Sequence, residues 1–382
     1  MKAHLGTKSV VVLTGMRRTG KTTILKHILS EIRSDNKAYF DLEKISDREF
    51  FDRKNYDSIL LDLAQRGLEP KKKLYLCIDE IQFLPNITSV IKYLYDHHRI
   101  KFFATGSSSY YLKNLFTQSL AGRKIVFELF PLDFCEFLTF KDVPHREGSF
   151  LKNAFSRAEY ERLRFYYEEF IEFGGFPEVV LTKSKVLKKE MLNDIISSYI
   201  NIDIQSLADF RKGKDIYNLI KMLASRCATR LDYSKLASMS GLSRPTVESY
   251  VDFFEKTYLI TRVPVFTRNT DREIVKARKI FFCDNGLMGI LAQNSSGVLF
   301  ENALFNQLRH KGEVRYYALK DGSEIDFILD GTMALEAKES PTGVDLNTLA
   351  RLSRIAKLKK IHLVGRYEVP RFNDYIWGGA IR

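Results

Sequence analysis

Gly15-Met16-Arg17-Arg18-Thr19-Gly20-Lys21-Thr22 has the residue types and spacing of a phosphate-binding loop, G-x-x-x-x-G-K-[ST]. Its chemistry is electrostatic. The glycines let the backbone curl so that successive N–H groups face a phosphate. A following helix would add a partial positive charge at its N-terminus. Lys21 would reach the β- and γ-phosphates, and the Thr22 hydroxyl would ligate Mg²⁺. Gly15, Arg18, Gly20, Lys21, Thr22 and Thr23 are therefore the expected contacts of a bound ATP. Asp79-Glu80 is the second constellation. It ends an apolar run, Leu74-Tyr75-Leu76-Cys77-Ile78, as acids at the carboxyl end of a buried parallel strand should. Asp79 would hold Mg²⁺ through water, and Glu80 would polarise the water that attacks the γ-phosphate.

A third constellation emerges near the C-terminus from strand arithmetic. Val314 to Leu319, Glu324 to Leu329 and Ala334 to Lys338 read as strands, with turns at Asp321-Gly322 and Asp330-Gly331. A hairpin centred on Gly331 sets Asp326 opposite Glu336 and Glu324 opposite Lys338. Side chains two apart share a face, so the carboxylates and Lys338 should converge on one side of the sheet. Two carboxylates this close repel unless a cation lies between them, and Mg²⁺ or Mn²⁺ is the natural occupant. Lys338 would position or help deprotonate an attacking water.

The elements that must hold these groups are legible too. The strand Val10-Val11-Val12-Leu13 precedes the loop, and a helical pattern from Thr23 to Leu29 follows it. Ile100 to Thr105 is another apolar strand, ending in Gly106-Ser107. Glu159 to Glu172 is helical, and Lys183 opens a helix whose basic start reads as a solvated face. Residues 216–265 pattern as a winged helix, with Thr246 to Glu255 as the would-be recognition helix. Glu248, Asp252 and Glu255 make that helix acidic, so it is expected to dock or support rather than read a DNA groove. Near the C-terminus, a helix carrying Glu301, three strands, a helix from Leu346 to Lys357 and a strand Ile361-His362-Leu363-Val364 follow one another.

Resemblances add to this. The strand ending in Ser107 resembles the sensor strand of AAA-type ATPases, which implies Ser107 near the γ-phosphate. Leu120-Ala121-Gly122-Arg123 and Phe127-Glu128-Leu129-Phe130-Pro131-Leu132-Asp133-Phe134 resemble prokaryotic AAA-like ATPases of the archaeal-ATPase type, related to the STAND ATPases. That resemblance implies Arg123 as an arginine finger, which in a homo-oligomer would reach a neighbouring subunit. Gly174-Gly175-Phe176-Pro177 contains the Gly-x-Pro that the STAND group places beside the nucleotide, which implies Pro177. The D…E-x-K spacing of Asp326, Glu336 and Lys338 resembles the PD-(D/E)XK nucleases, with Glu301 as a further acid and αβββαβ as their core. The layout, with Asp284-Asn285-Gly286-Leu287 and Gly322 to Phe327, resembles one prokaryotic family that combines all three parts.

The expected fold is α/β: a P-loop parallel sheet over 1–135, a helical lid or connector over 136–215, the winged helix over 216–265, a linker over 266–297 and a restriction-endonuclease-like domain over 298–382. A chain of 382 residues with 45% apolar content can build several cores. The net charge of +13 suggests polyanionic partners, DNA among them. Cysteines 77, 135, 227 and 283 lack metal-type spacing and read as reduced residues of a cytoplasmic protein. No apolar run approaches a membrane span and nothing resembles a signal peptide. The expectation is an ATP-hydrolysing protein coupling nucleotide state to a metal-dependent, nuclease-like, DNA-interacting domain. A nucleotide-gated switch with an inactive C-terminal binding domain stays open, and a transcription-related reader is disfavoured by the acidic helix.

Overall fold

The computed structural model describes residues 1–107, 122–146, 155–204, 213–267 and 276–381. Leu120 and Ala121, which belong to the string quoted before Arg123, lie outside the described residues. The chain divides into two compact units, one built on Met1–Phe130 and the other on Pro131 onward, with the short segment Lys256–Tyr258 grouped with the first.

The first unit is a five-stranded parallel sheet in the order β2-β3-β4-β1-β5. Its strands are β1 (Val10–Gly15), β2 (Lys37–Asp41), β3 (Leu74–Asp79), β4 (Ile100–Gly106) and β5 (Lys124–Leu129). Helices α1 (Lys21–Glu31), α2 (Ile45–Phe51), α3 (Asp57–Gln65) and α4 (Ile87–His97) connect them. β1 and β4 are buried along their whole length, which is why they read as unbroken apolar runs. The main core gathers Phe40, Phe51, Leu76, Ile91 and Phe102, and Leu25, Ile28, Cys77 and Phe103 form a second cluster. Because all five strands run the same way, the loops after β1, β3 and β4 emerge at one end of the sheet.

The second unit begins with helices α5 (Phe134–Phe140), α6 (Arg157–Phe173), α7 (Pro177–Leu181) and α8 (Lys185–Ser198). Helices α9 (Gly213–Ala224), α10 (Tyr233–Ser240) and α11 (Arg244–Lys256) follow. Strands β6 (Ile260–Val263) and β7 (Lys279–Phe282) pair antiparallel. Helices α12 (Asn285–Leu291) and α13 (Ser296–Leu308) lead to β8 (Val314–Ala318), β9 (Glu324–Leu329) and β10 (Met333–Lys338). Helix α14 (Gly343–Ile355) returns the chain to β11 (Lys360–Gly365), and β12 (Ile376–Trp377) closes the edge. This sheet has the order β12-β11-β10-β9-β8, antiparallel from β8 to β10 and parallel between β10 and β11.

Several expectations change here. The segment 266–297 is not a linker. It supplies β7 and the buried helix α12. The reason it escaped notice is the long excursion between β6 and β7, far beyond an ordinary hairpin loop. The residues after β6 also join the larger sheet, through a bridge from Val265 to Tyr316 and a 3.1 Å bond from the Tyr316 N–H to the Pro264 carbonyl. Lys188, read as part of a solvated face, is buried, with Nζ 2.9 Å from Glu169 Oε1 and 2.7 Å from the Val179 carbonyl. On α11, Val247, Tyr250, Val251, Phe253 and Phe254 are all buried. Its acids are paired: Glu248 with Arg244 at 2.8 Å, and Asp252 and Glu255 with Arg262 at 2.7 and 2.5 Å.

The connector helices and the C-terminal sheet share one core. Trp377 on β12 packs its ring 5.4 Å from Tyr167, 5.5 Å from Tyr160 and 6.5 Å from Phe134, centroid to centroid. Arg366 grips Glu168 of α6 through two bonds of 3.1 and 2.6 Å. Trp377 is the only tryptophan, so its emission reports this junction. Phe134→Ala, by hollowing it, should lower unfolding stability by about 3–5 kcal/mol. The check is chemical denaturation followed by Trp377 fluorescence; an unshifted midpoint would mean that the helices and the sheet do not share a core.

Candidate functional site

At the carboxyl end of β1 the chain turns through the phosphate-binding loop. A Cβ on Gly15 would lie 2.1 Å from the Leu129 carbonyl oxygen, so the close approach of β5 alone demands glycine there. Arg18 and Gly20 adopt left-handed backbone at φ 61° and 97°. The N-cap of α1 is Gly20, which has no side chain to cap the first turn where Lys21, Thr22 and Thr23 lie, and such a start is suited to receive an anion on its N–H groups. The buried Lys21 Nζ donates to the Met16 carbonyl at 3.0 Å, and Thr19 Oγ1 donates to the same carbonyl at 2.8 Å. The ammonium is thereby held inside the loop. These residues fit a nucleotide triphosphate, and Thr22 with Asp79 fits its Mg²⁺.

Asp79 and Glu80 stand next to this loop because β3 is one strand removed from β1 across β4. Asp79 is buried and held from both sides: Tyr39 OH donates to Oδ2 at 2.7 Å, and Thr105 Oγ1 donates to Oδ1. Burial, and then the Asp79 carboxylate, push the Tyr39 phenol well above its ordinary range. It therefore stays a donor. Glu80 turns out of the strand in left-handed backbone, φ 53°, with its N–H on Thr105 Oγ1 at 3.1 Å. Gln82 is the residue that the sequence reading missed. Its Nε2 donates both to Glu80 Oε2 and to Ser107 Oγ, the latter at 2.9 Å. Glu80, Gln82 and Ser107 are thus one buried hydrogen-bonded set at the strand ends. The only sequence signal was a polar residue inside the apolar string Ile81-Gln82-Phe83.

Arg123 lies at the other end of the sheet from the loop. Its carbonyl accepts from the Val10 N–H at 2.8 Å, at the start of β1, and its Nε lies 3.1 Å from Asp96 Oδ1. The loop begins at the far end of β1, about 17 Å away at ~3.3 Å per residue. Arg123 therefore cannot serve the nucleotide of its own subunit. Pro177 begins α7 in the second unit. The glycines before it answer to packing. A Cβ on Gly174 would meet the Asp284 carboxylate at 2.1 Å, and one on Gly175 the Leu132 carbonyl at 2.1 Å. Asp284 accepts from the N–H groups of Gly175 at 2.7 Å and Leu287 at 3.0 Å, and burial pushes its carboxyl up to about 6.

The C-terminal constellation is assembled on β9, β10 and α13. The register Leu335↔Phe327 continues to set Glu336 against Asp326. Asp326 Oδ2 accepts from the Ala337 N–H at 3.0 Å, the Asp326 N–H points at Glu336 Oε2 at 3.3 Å, and Lys338 Nζ donates to Glu336 at 2.8 Å. Ile325 and Phe327, which strand alternation would put together on the opposite face, are separated. A register shift in the β8–β9 pair accompanies Ile325 and Ile328 together on the α14 side, while the Phe327 ring lies tilted against Phe281, centroids 5.6 Å apart. A lysine also enters this cluster from β7. Lys279, 1% exposed at its side chain, places Nζ 2.9 Å from Glu324, 3.4 Å from Glu301 and 3.6 Å from Asp326. Among the described residues no three acids, histidines or cysteines converge as a metal cage. Lys279 from β7 thus sets an ammonium among these carboxylates. Burial first, then Asp326, pushes Glu301 up to about 8 and Glu336 up to about 7. Asp326 thus lies in electrostatic range of both Glu301 and Glu336, and Lys279 partners Glu301 and Asp326 while Lys338 partners Glu336.

Comparison with known proteins fits the first unit. The AAA domain family matches residues 7–138, and a domain of unknown function, DUF8612, matches residues 164–297. The uncharacterized protein MJ1544 of Methanocaldococcus jannaschii is 30% identical over 389 residues, 96% of this chain and 82% of its own. The chain belongs to the family of that protein. Its first unit is an AAA-type ATPase domain. A Haemophilus influenzae protein is 26% identical over 336 residues, 84% of this chain and 80% of its own. The Aeropyrum pernix ORC1 protein, solved in complex with DNA, overlays with a TM-score of 0.32 at 10% identity, covering 74% of this chain and 86% of that one. A likeness that loose carries no argument. Among the described residues no helix is long and apolar enough to cross a membrane.

In the AAA domain, Lys21→Ala should bind ATP poorly, and Glu80→Gln should bind it but hydrolyse it far more slowly. Gln82→Ala should bind ATP normally and lose about 10²-fold in turnover, because Glu80 loses the donor that positions it. Nucleotide binding by fluorescence and phosphate release by stopped assay measure the two effects separately. Normal turnover in Gln82→Ala would remove it from the site.

Proposed function

We propose that the AAA domain hydrolyses ATP with Glu80 polarising the attacking water, and that nucleotide state is coupled to a nuclease-like, DNA-interacting second unit. The observation that supports the first part most directly is the buried set Glu80, Gln82 and Ser107 beside a lysine-bearing phosphate loop. Such a set would hold the carboxylate in one orientation to polarise a water in line with a γ-phosphate. Thr22 and Asp79 would carry Mg²⁺. Arg123, if a finger, would act only on a neighbouring subunit's nucleotide.

What supports the second part is topology and residue type. Helix α13, the antiparallel β8-β9-β10, helix α14 and the parallel β11 follow the αβββαβ order, with Asp326 and the Glu336-x-Lys338 pair on adjacent strands. Helices α9 to α11 with β6 and β7 follow the order of a winged helix. The buried, ion-paired α11 favours a supporting role for it over groove reading. In this reading Asp326, Glu336 and Glu301 would ligate Mg²⁺ or Mn²⁺, and Lys338 would serve the nucleophilic water. Lys279 favours the second reading, a nucleotide-gated switch whose C-terminal site is closed by an internal ion pair and does not cut.

Mn²⁺ titration and plasmid cleavage, each with and without ATP, separate the two. Cleavage reading: Mn²⁺ binds, and affinity rises between about pH 6 and pH 8.5, because Glu301 and Glu336 hold protons up to about 8 and about 7 and must lose them to ligate. Asp326→Ala then abolishes binding, and Lys338→Ala spares binding but stops cleavage. No Mn²⁺ uptake at any pH, in wild type or Lys279→Met, establishes the switch reading.

A further inference from the structure

A second charged cavity lies in the AAA domain at the end of the sheet remote from the phosphate loop. Its volume is about 480 Å³, and it is walled by the residues just before β1, β3 and β4 and by the end of α4. At its wall is Lys101, whose residue is 2% exposed. Lys101 Nζ donates to the Ser9 carbonyl and reaches Thr7 Oγ1 at 3.4 Å. Neither partner carries charge. Among the described residues no carboxylate lies within ion-pair distance of it, in contrast to the buried lysines Lys188 and Lys279 of the second unit. The rim adds cations rather than anions. Lys8 and Lys73 are held over the rings of Tyr95 and Tyr75 at 4.7 and 5.1 Å, and Arg99 and His98 complete it. The one acid of the rim, Asp96, is already paired with Arg123.

Buried charges are ordinarily paired, because an unpaired one carries its full desolvation penalty. Here burial first, and then Lys73, bring the ammonium down to about 8, so it remains charged at neutral pH. A site that keeps an uncompensated ammonium beneath further cations is built for an anion from outside the chain. The volume falls in the range of small-ligand sites and is too confined for a duplex. Several cations around one cavity match several negative charges on one ligand, and charge-assisted N–H···O⁻ bonds are the strong ones.

We propose that this cavity binds a small, multiply charged phosphate ligand, of the di- or polyphosphate class, with Lys101 as the buried counter-charge and Lys73 and Arg99 as rim contacts. It is separate from the nucleotide site by the length of β1 and does not depend on the reading of the second unit.

The test uses the full chain carrying Lys21→Ala, so that phosphate binding at the loop is suppressed. Calorimetry with inorganic tripolyphosphate should show one site per chain. Adding Lys101→Met should weaken it about tenfold or more, as loss of a charged hydrogen bond worth about 1.5–3 kcal/mol requires. The exposed pair Lys73→Ser and Arg99→Ser, which leaves the core untouched, should weaken it comparably. Tripolyphosphate should also raise the melting temperature of the Lys21→Ala protein but not of the Lys101→Met form. Absence of binding, or affinity unchanged in the folded Lys101→Met or rim variants, overturns the proposal. So does binding of a single-stranded oligodeoxynucleotide, lost in the same variants, where tripolyphosphate fails to bind.

Discussion

A buried ammonium needs a counter-charge, and in the second unit that need organises the structure. Lys279 projects from β7 into the space between α13 and β9, where Glu301, Glu324 and Asp326 receive it. Without it, three carboxylates would crowd one another in a poorly solvated place. Without them, the lysine would be stranded. Breaking either half of such a group leaves the other uncompensated, which costs several kcal/mol. The ion cluster therefore binds the β6–β7 pair to the C-terminal sheet, and a segment that reads as a linker becomes an integral element.

Hydrogen bonding continues the same seam. Asn285 donates to the Ile171 and Leu299 carbonyls at 3.1 and 2.8 Å, and Asn302 donates to Asn285 Oδ1 at 2.8 Å. Asn302 Oδ1 in turn accepts from the Phe282 N–H at 2.8 Å. With Asp284 capping α12 and holding Gly175, these residues close a buried polar network over α6, α12, α13 and β7. Each member is satisfied, which is the condition for such a network to specify one packing. Gly174 serves this closure, since a side chain there would collide with Asp284, and Gly175 beside it gives way to the Leu132 backbone.

In the AAA domain the ordering principle is different. The parallel sheet brings the ends of β1, β3 and β4 to one edge, and the polar atoms that face one another there are paired across strands. Thr105 on β4 supports both Asp79 and Glu80, and Tyr39 on β2 supports Asp79. Four strands thus contribute to a site whose motif residues lie on only two. The opposite edge carries the cations, among them Arg123. A parallel strand separates its two ends by its whole length, so the two sets of groups cannot meet within one subunit.

By itself the sequence determined the elements whose signals are local. The phosphate loop, the apolar parallel strands, the Asp79-Glu80 pair at a strand end and the hairpin register that sets Asp326 against Glu336 all rest on spacings of a few residues. Backbone sterics and strand periodicity act at that range, so the residues alone suffice. Only the tertiary structure decided what meets across distance: Gln82 bridging Glu80 and Ser107, Lys279 entering the acidic cluster, Asp284 clasping Gly174-Gly175, and Arg123 pairing with Asp96 at the end of the sheet remote from the loop. Each depends on a lone polar residue in a run that looks ordinary, made consequential by a partner many residues away. Charge pairing and close packing are properties of neighbours in space, and the spacing along a chain does not encode them.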